Sequence, residues 1–245
     1  MIFIEDWAQD TSTWFRILPL LRPGRQLVRY DLRGQGRSGI PADGDYSLEA
    51  HVEDLFRLFD GLAIDRAHLV ASGLGARVAI TAAAGSPDRI RSLTLLNPHT
   101  AWSRAELEGW ERFLEAYERV GRPTLGEYAA FLVDGWVAPP FARREPWLIP
   151  FYDLVLRRQD PEALVAALRA WLSSDLALDA AATLDIPLLV VRGGHAGGVS
   201  GEARLRSAFP RYGAVILPES GRFPQLEAPA RLGKAIAERI EPAAR

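Results

Sequence analysis

The chain has 245 residues, 48% of them hydrophobic, a formal net charge of −2 and no cysteine. This length suits one α/β domain with a sizeable core. The lack of cysteine excludes disulfides and thiolate metal sites, and the interspersed acids and bases leave no electrostatic footprint for nucleic acid or a membrane surface.

Read in chain order, short β-branched and leucine-rich runs alternate with helical patterns. Ile2 to Ile4 reads as a strand and runs into the loop Glu5-Asp6-Trp7-Ala8-Gln9-Asp10. Gln26 to Tyr30 is a second strand, followed by the turn Asp31-Leu32-Arg33-Gly34-Gln35-Gly36-Arg37-Ser38. Leu48, Val52, Leu55, Phe59 and Leu62 recur at helical spacing behind Ser47, a side chain suited to capping, so a helix is predicted over 47–62. A buried strand at His68 to Ala71 meets the tight turn Ala71-Ser72-Gly73-Leu74-Gly75-Ala76 and an apolar helix. Ser92 to Leu96 is the next strand and leads into Asn97-Pro98-His99-Thr100-Ala101-Trp102.

The alternation then stops. Residues 100–183 read as helices, one carrying Leu107, Phe113, Leu114 and Tyr117, and one running from Pro123 through Tyr128 and Phe131 to Trp136. Two more cover Trp147 to Leu156 and Pro161 to Leu172, with a bend at Ala138 to Phe141. Trp102, Trp110, Trp136, Trp147 and Trp171 all fall in this segment. Strands return at Pro187 to Arg192 and Ala214 to Leu217, and a last helix is predicted over Gln225 to Ile240. No apolar run approaches the ~20 residues of a bilayer span. The four histidines lack carboxylates at ligand spacing. No membrane contact, metal or cofactor is therefore expected, and the expected address is cytoplasmic.

Three segments carry a resemblance. The strand-turn-helix at 67–80, the Asp-x-Arg-Gly-x-Gly-x-Ser turn at 31–38, and Gly221-Arg222-Phe223-Pro224-Gln225-Leu226-Glu227-Ala228-Pro229 are similar to the α/β-hydrolase superfamily, closest in pattern to its enol-lactone hydrolase branch. The resemblance implies a mostly parallel sheet flanked by helices. It makes 1–99 and 184–245 the core and 100–183 a helical cap, a lid inserted after the sixth family strand. The family's first two strands are missing, which leaves 26–30 as a bare edge and predicts a homodimer across it.

Carried over by position, the family's nucleophile falls on Gly73, its acid on Ala196 and its histidine on Arg222. Arginine stays protonated near neutrality and cannot serve as the base. Ser72 stands one residue too early in the turn, and His195 reads as a loop residue. The backbone amides of Asp6, Trp7 and Leu74 are the expected oxyanion donors. Carboxylates at Glu5 and Asp6 would repel an oxyanion there, unless both face solvent. A ligand pocket is expected from Glu5, Asp6, Trp7, Gly73, Leu74, Asn97, His99, Trp102, Trp136, Arg222 and Phe223. Asp6, His99 and Arg222 are the candidates for acid/base chemistry, or else a structural ion pair with His99 held locally.

These residues lead to the expectation of a protein without a hydrolytic triad that binds a small, largely apolar metabolite under the lid. Catalysis would then take the form of cofactor-free lyase, isomerase or cyclase chemistry. Two alternatives stand beside it: a non-catalytic pseudoenzyme used as a protein interaction surface, and an ester or lactone hydrolase with a site relocated to Ser72 and His99 or His195.

Overall fold

The computed structural model describes residues 1–21, 24–120, 129–176, 178, 183–196 and 201–240, side chains at 130–133 excepted. Six strands form one parallel sheet: β1 (Ile2–Ile4), β2 (Val28–Tyr30), β3 (Ala67–Ser72), β4 (Ile90–Leu96), β5 (Leu188–Gly193) and β6 (Tyr212–Leu217), in the order β2-β1-β3-β4-β5-β6. Each expected strand is present, and β2 is an edge. The central strands read as continuous apolar runs because helices cover both faces of a parallel sheet. Ile4, Leu69 and Leu93 are fully buried on the way through it, each contributing about 1.5–3 kcal/mol by leaving water.

Helices α1 (Leu18–Leu21), α2 (Leu48–Gly61) and α3 (Gly73–Gly85) precede β4. In α2 the Ser47 hydroxyl accepts from the Ala50 amide, as its place in the sequence predicts. Between β4 and β5 lie α4 (Arg104–Arg119), α5 (Ala129–Trp136), α6 (Pro139–Arg144), α7 (Leu148–Arg157) and α8 (Pro161–Ser173). The helix expected over Pro123 to Tyr128 lies outside the described residues, as does the Phe131 side chain. The chain ends through α9 (Glu202–Ala208), α10 (Pro224–Glu227) and α11 (Pro229–Ile240). No helix among the described residues is long and apolar enough to cross a membrane.

Two local expectations are corrected. The bend at 138–141 is the start of α6, because Pro139 and Pro140 occupy first-turn positions where a missing N–H costs nothing. The final helix is two helices. Pro229 disfavours helical backbone at Ala228, which sits at φ −138° and ψ 49°.

Register decides where the site can lie. Ile4 pairs with Ala71, and Ser72 with Leu96, so β1, β3 and β4 end level with one another. The residues that follow them, Glu5 to Trp7, Gly73 and Asn97, emerge together at the carboxyl edge of the sheet, where open parallel sheets place their ligands.

Candidate functional site

Asp6 leaves β1 and turns its carboxylate into the elbow. Oδ1 accepts from the Trp7 amide at 2.8 Å and the Leu74 amide at 2.9 Å. Two of the three expected oxyanion amides therefore converge on one point, and a carboxylate oxygen of the protein already occupies it. Gly73 makes this arrangement possible. Its φ of +50° lies in the left-handed region, and a Cβ built on it would overlap the Asp6 carboxyl carbon and both of its oxygens. The expectation that Asp6 could face solvent is corrected, since its side chain is only 4% exposed.

The second carboxylate oxygen is held by a guanidinium. Oδ2 accepts from Arg222 Nε and Nη2, both at 3.1 Å. Arg222 also lies over the Trp136 ring, 5.4 Å from its centroid, and its side chain keeps 15% exposure. Its loop is braced from three sides. The Glu227 carboxylate accepts from the amides of Gly221, Phe223 and Ala138. The Asn97 amide group donates to the carbonyls of Gly221 and Arg222, while its oxygen accepts from Gly193. The Trp136 carbonyl accepts from the Arg222 amide at 2.6 Å. Asn97 therefore acts as a strut for the arginine loop.

His99 sits at the start of the segment after β4. Its ring stacks on Trp102, with centroids 5.0 Å apart, and Nδ1 lies 3.8 Å from Glu106 Oε1. Burial, then the charge of Arg222, pushes its pKa down to about 4 against the pull of Glu106 and Asp6. The ring is neutral at pH 7 and 16% exposed. Trp102 packs on against Trp171, and Phe223, fully buried, packs between Trp136 and Tyr152.

Ser72 and His195 do not assemble into a site. Ser72 is buried at the end of β3, and its Oγ has no hydrogen-bond partner among the described residues. His195 is exposed; its amide donates to the Ser220 carbonyl, and the neighbouring Ala196 amide to Gly193. Trp7, expected to face the cavity, instead donates from its indole to the Leu164 carbonyl of α8 and meets Trp110 edge-on.

Glu5 also departs from expectation, being fully buried rather than at the pocket mouth or in solvent. Its Oε1 accepts from the Leu32 amide, while Oε2 has no partner among the described residues. Burial raises its pKa well above 4.5; the Leu32 hydrogen bond opposes the rise and the nearby Asp31 charge adds to it. The folded state thus holds this proton more tightly than the unfolded chain. Its contribution to stability is complete below about pH 4.5 and declines as pH rises through the folded value. Glu5→Gln is expected to melt above the wild type at alkaline pH, with the gap closing towards pH 4.5 in thermal unfolding. Parallel pH curves for the two proteins would contradict this.

Two residues were missed from sequence. Glu227 stands inside the loop motif, but its spacing alone does not say that it caps three amides. Tyr152 is buried on α7, its hydroxyl without a hydrogen-bond partner among the described residues; burial, then the charges of Glu227 and Asp6, holds that phenol well above its ordinary value.

The parallel sheet, the elbow at Gly73 and the loops gathered at the strand ends agree with sequence comparison. The pattern of the alpha/beta hydrolase fold family matches residues 1–229, and the chain belongs to that family. It is 26% identical to 2-(acetamidomethylene)succinate hydrolase of Mesorhizobium japonicum over 253 residues, covering 98% of this chain and 87% of that protein. It is 32% identical to 2-hydroxymuconate semialdehyde hydrolase of Pseudomonas sp. (strain CF600) over 93 residues, or 38% of this chain and only 31% of that protein. The enol-lactonase from Burkholderia xenovorans LB400 shares the fold at a TM-score of 0.85 and 22% identity, over 98% of this chain and 90% of that one.

These similarities correct the functional expectation. The relatives are named as hydrolases, which overturns the reading of a non-hydrolytic binder, lyase, isomerase or cyclase and lends no support to a pseudoenzyme.

Proposed function

We propose that this protein hydrolyses a small ester or lactone at a relocated site formed by Asp6, Arg222 and His99, beneath a lid supplied by helices α4 to α8. The observation that carries the reading is the meeting of a carboxylate and a guanidinium at the two convergent amides of the strand ends, with the His99 ring, stacked on Trp102, within electrostatic range of both charges. Arg222 and His99 both keep a partly exposed face from which they can meet a substrate. A neutral imidazole can accept a proton from water, and a guanidinium can stabilise negative charge growing on an acyl oxygen. Trp102 and Trp136 give the site apolar walls, as small-molecule sites require. Family membership and the hydrolases among its relatives support hydrolysis as the reaction class.

The test is turnover of p-nitrophenyl acetate and a panel of saturated and enol lactones. Ser72→Ala is expected to keep the wild-type rate, and His99→Gln to lose about 100-fold or more. Because His99 titrates near pH 4, the wild-type rate should hold its plateau well below 6.5. Failure to hydrolyse any member of the panel, or loss of activity in Ser72→Ala, would refute the proposal.

A further inference from the structure

The relocated site leaves open which oxygen attacks, and the geometry at Gly73 answers it. Where an elbow side chain would project, the Asp6 carboxylate fills the space from the opposite loop. The two amides that would receive a substrate oxyanion are taken by Oδ1. Stabilisation by these donors acts on charge that develops where they point, and here they point at an oxygen of Asp6 itself. Charge grows on that oxygen when water adds to Cγ of an acylated Asp6. Ser72, the hydroxyl of the elbow, is buried and has no hydrogen-bond partner among the described residues.

Resting on the hydrolytic reading above, we infer that Asp6 is the covalent nucleophile. Oδ2 turns towards the partly exposed Arg222, so a substrate oxygen that draws the guanidinium away uncovers it. In the first step an Oδ2 lone pair forms a bond to the acyl carbon, and the bond to the leaving oxygen breaks, that oxygen departing with the electron pair. In the second step His99 takes a proton from water as the water oxygen bonds to Cγ, and the negative charge on Oδ1 is held by the Trp7 and Leu74 amides. Collapse breaks Cγ–Oδ2, and the product acid leaves carrying the former Oδ2. The remaining hydroxyl proton on Asp6 and the proton on His99 pass to solvent, which restores the starting state.

The mechanism moves an oxygen atom from the protein to the product and replaces it from water. A single turnover of p-nitrophenyl acetate by excess enzyme in H2 18O, followed by mass spectrometry of the peptide containing Asp6, reads this exchange. One 18O atom is expected in Asp6 and none in the acetate, with no label in Asp6 when substrate is omitted. Asp6→Asn, checked for folding by circular dichroism, is expected to release no p-nitrophenol. Release at the wild-type rate with label only in acetate, or by Asp6→Asn, would overturn Asp6 as nucleophile while leaving hydrolysis intact. If the wild type hydrolyses neither this ester nor the lactones, both readings fall together.

Discussion

Gly73→Ser is expected to damage the fold and not to rebuild a serine elbow. The new Cβ would occupy the position of the Asp6 carboxylate, so that group must leave its two amides and Arg222. Left-handed backbone at a non-glycine residue costs about 1–3 kcal/mol, and a buried carboxylate forced from its partners adds a comparable amount. A loss of about 3–5 kcal/mol lowers the melting temperature of a chain of this size by roughly 10 °C. Most of it should return in Asp6→Gly/Gly73→Ser, because the clash has been removed from the other side. Scanning calorimetry of the two single variants and the pair closes a double-mutant cycle. A Gly73→Ser protein that melts with the parent would show that position 73 and Asp6 do not share this space.

Arg222→Met should be the next most damaging change. It strips the guanidinium from a carboxylate that is almost wholly buried. Removing one partner of a buried pair costs about 3–5 kcal/mol, but the partial exposure of Arg222 lets water in and brings the expected loss to about 2–3 kcal/mol. Arg222→Lys should recover little of it, since an ammonium cannot present the two N–H groups that meet Oδ2 from Nε and Nη2. Adding Asp6→Asn to Arg222→Met should recover stability, because the stranded charge disappears. Urea unfolding measures each step, and an Arg222→Met midpoint equal to wild type would reduce the pair to a surface contact.

Much of this architecture was legible from the chain. All six strands announce themselves as short apolar runs, α2 by its three-and-four spacing behind Ser47, and the elbow by its crowded small residues. Helix ends were less legible, because Pro229 splits a continuous apolar periodicity while Pro139 starts a helix instead of stopping one. At the site, Asp6, Leu74, His99 and Arg222 could each be singled out, but not their mutual contacts. Position 73 and Asp6 are separated by 66 intervening residues, and only the register of β1 on β3 brings the absent side chain of one against the carboxylate of the other. The burial of Glu5 and the strut formed by Asn97 depend in the same way on neighbours distant in sequence.

The residue after Asp6 gives that site a mechanical property. Trp7 is bonded through its indole to the Leu164 carbonyl in α8, and Gln159, just ahead of that helix, accepts from the Gly36 amide and donates to the Gln9 carbonyl. A shift of α8 is therefore transmitted to Trp7 and Gln9, both in the loop after β1 that carries Asp6. On the proposed mechanism, any displacement of α8 that admits a substrate would also re-aim the loop that presents the Asp6 carboxylate.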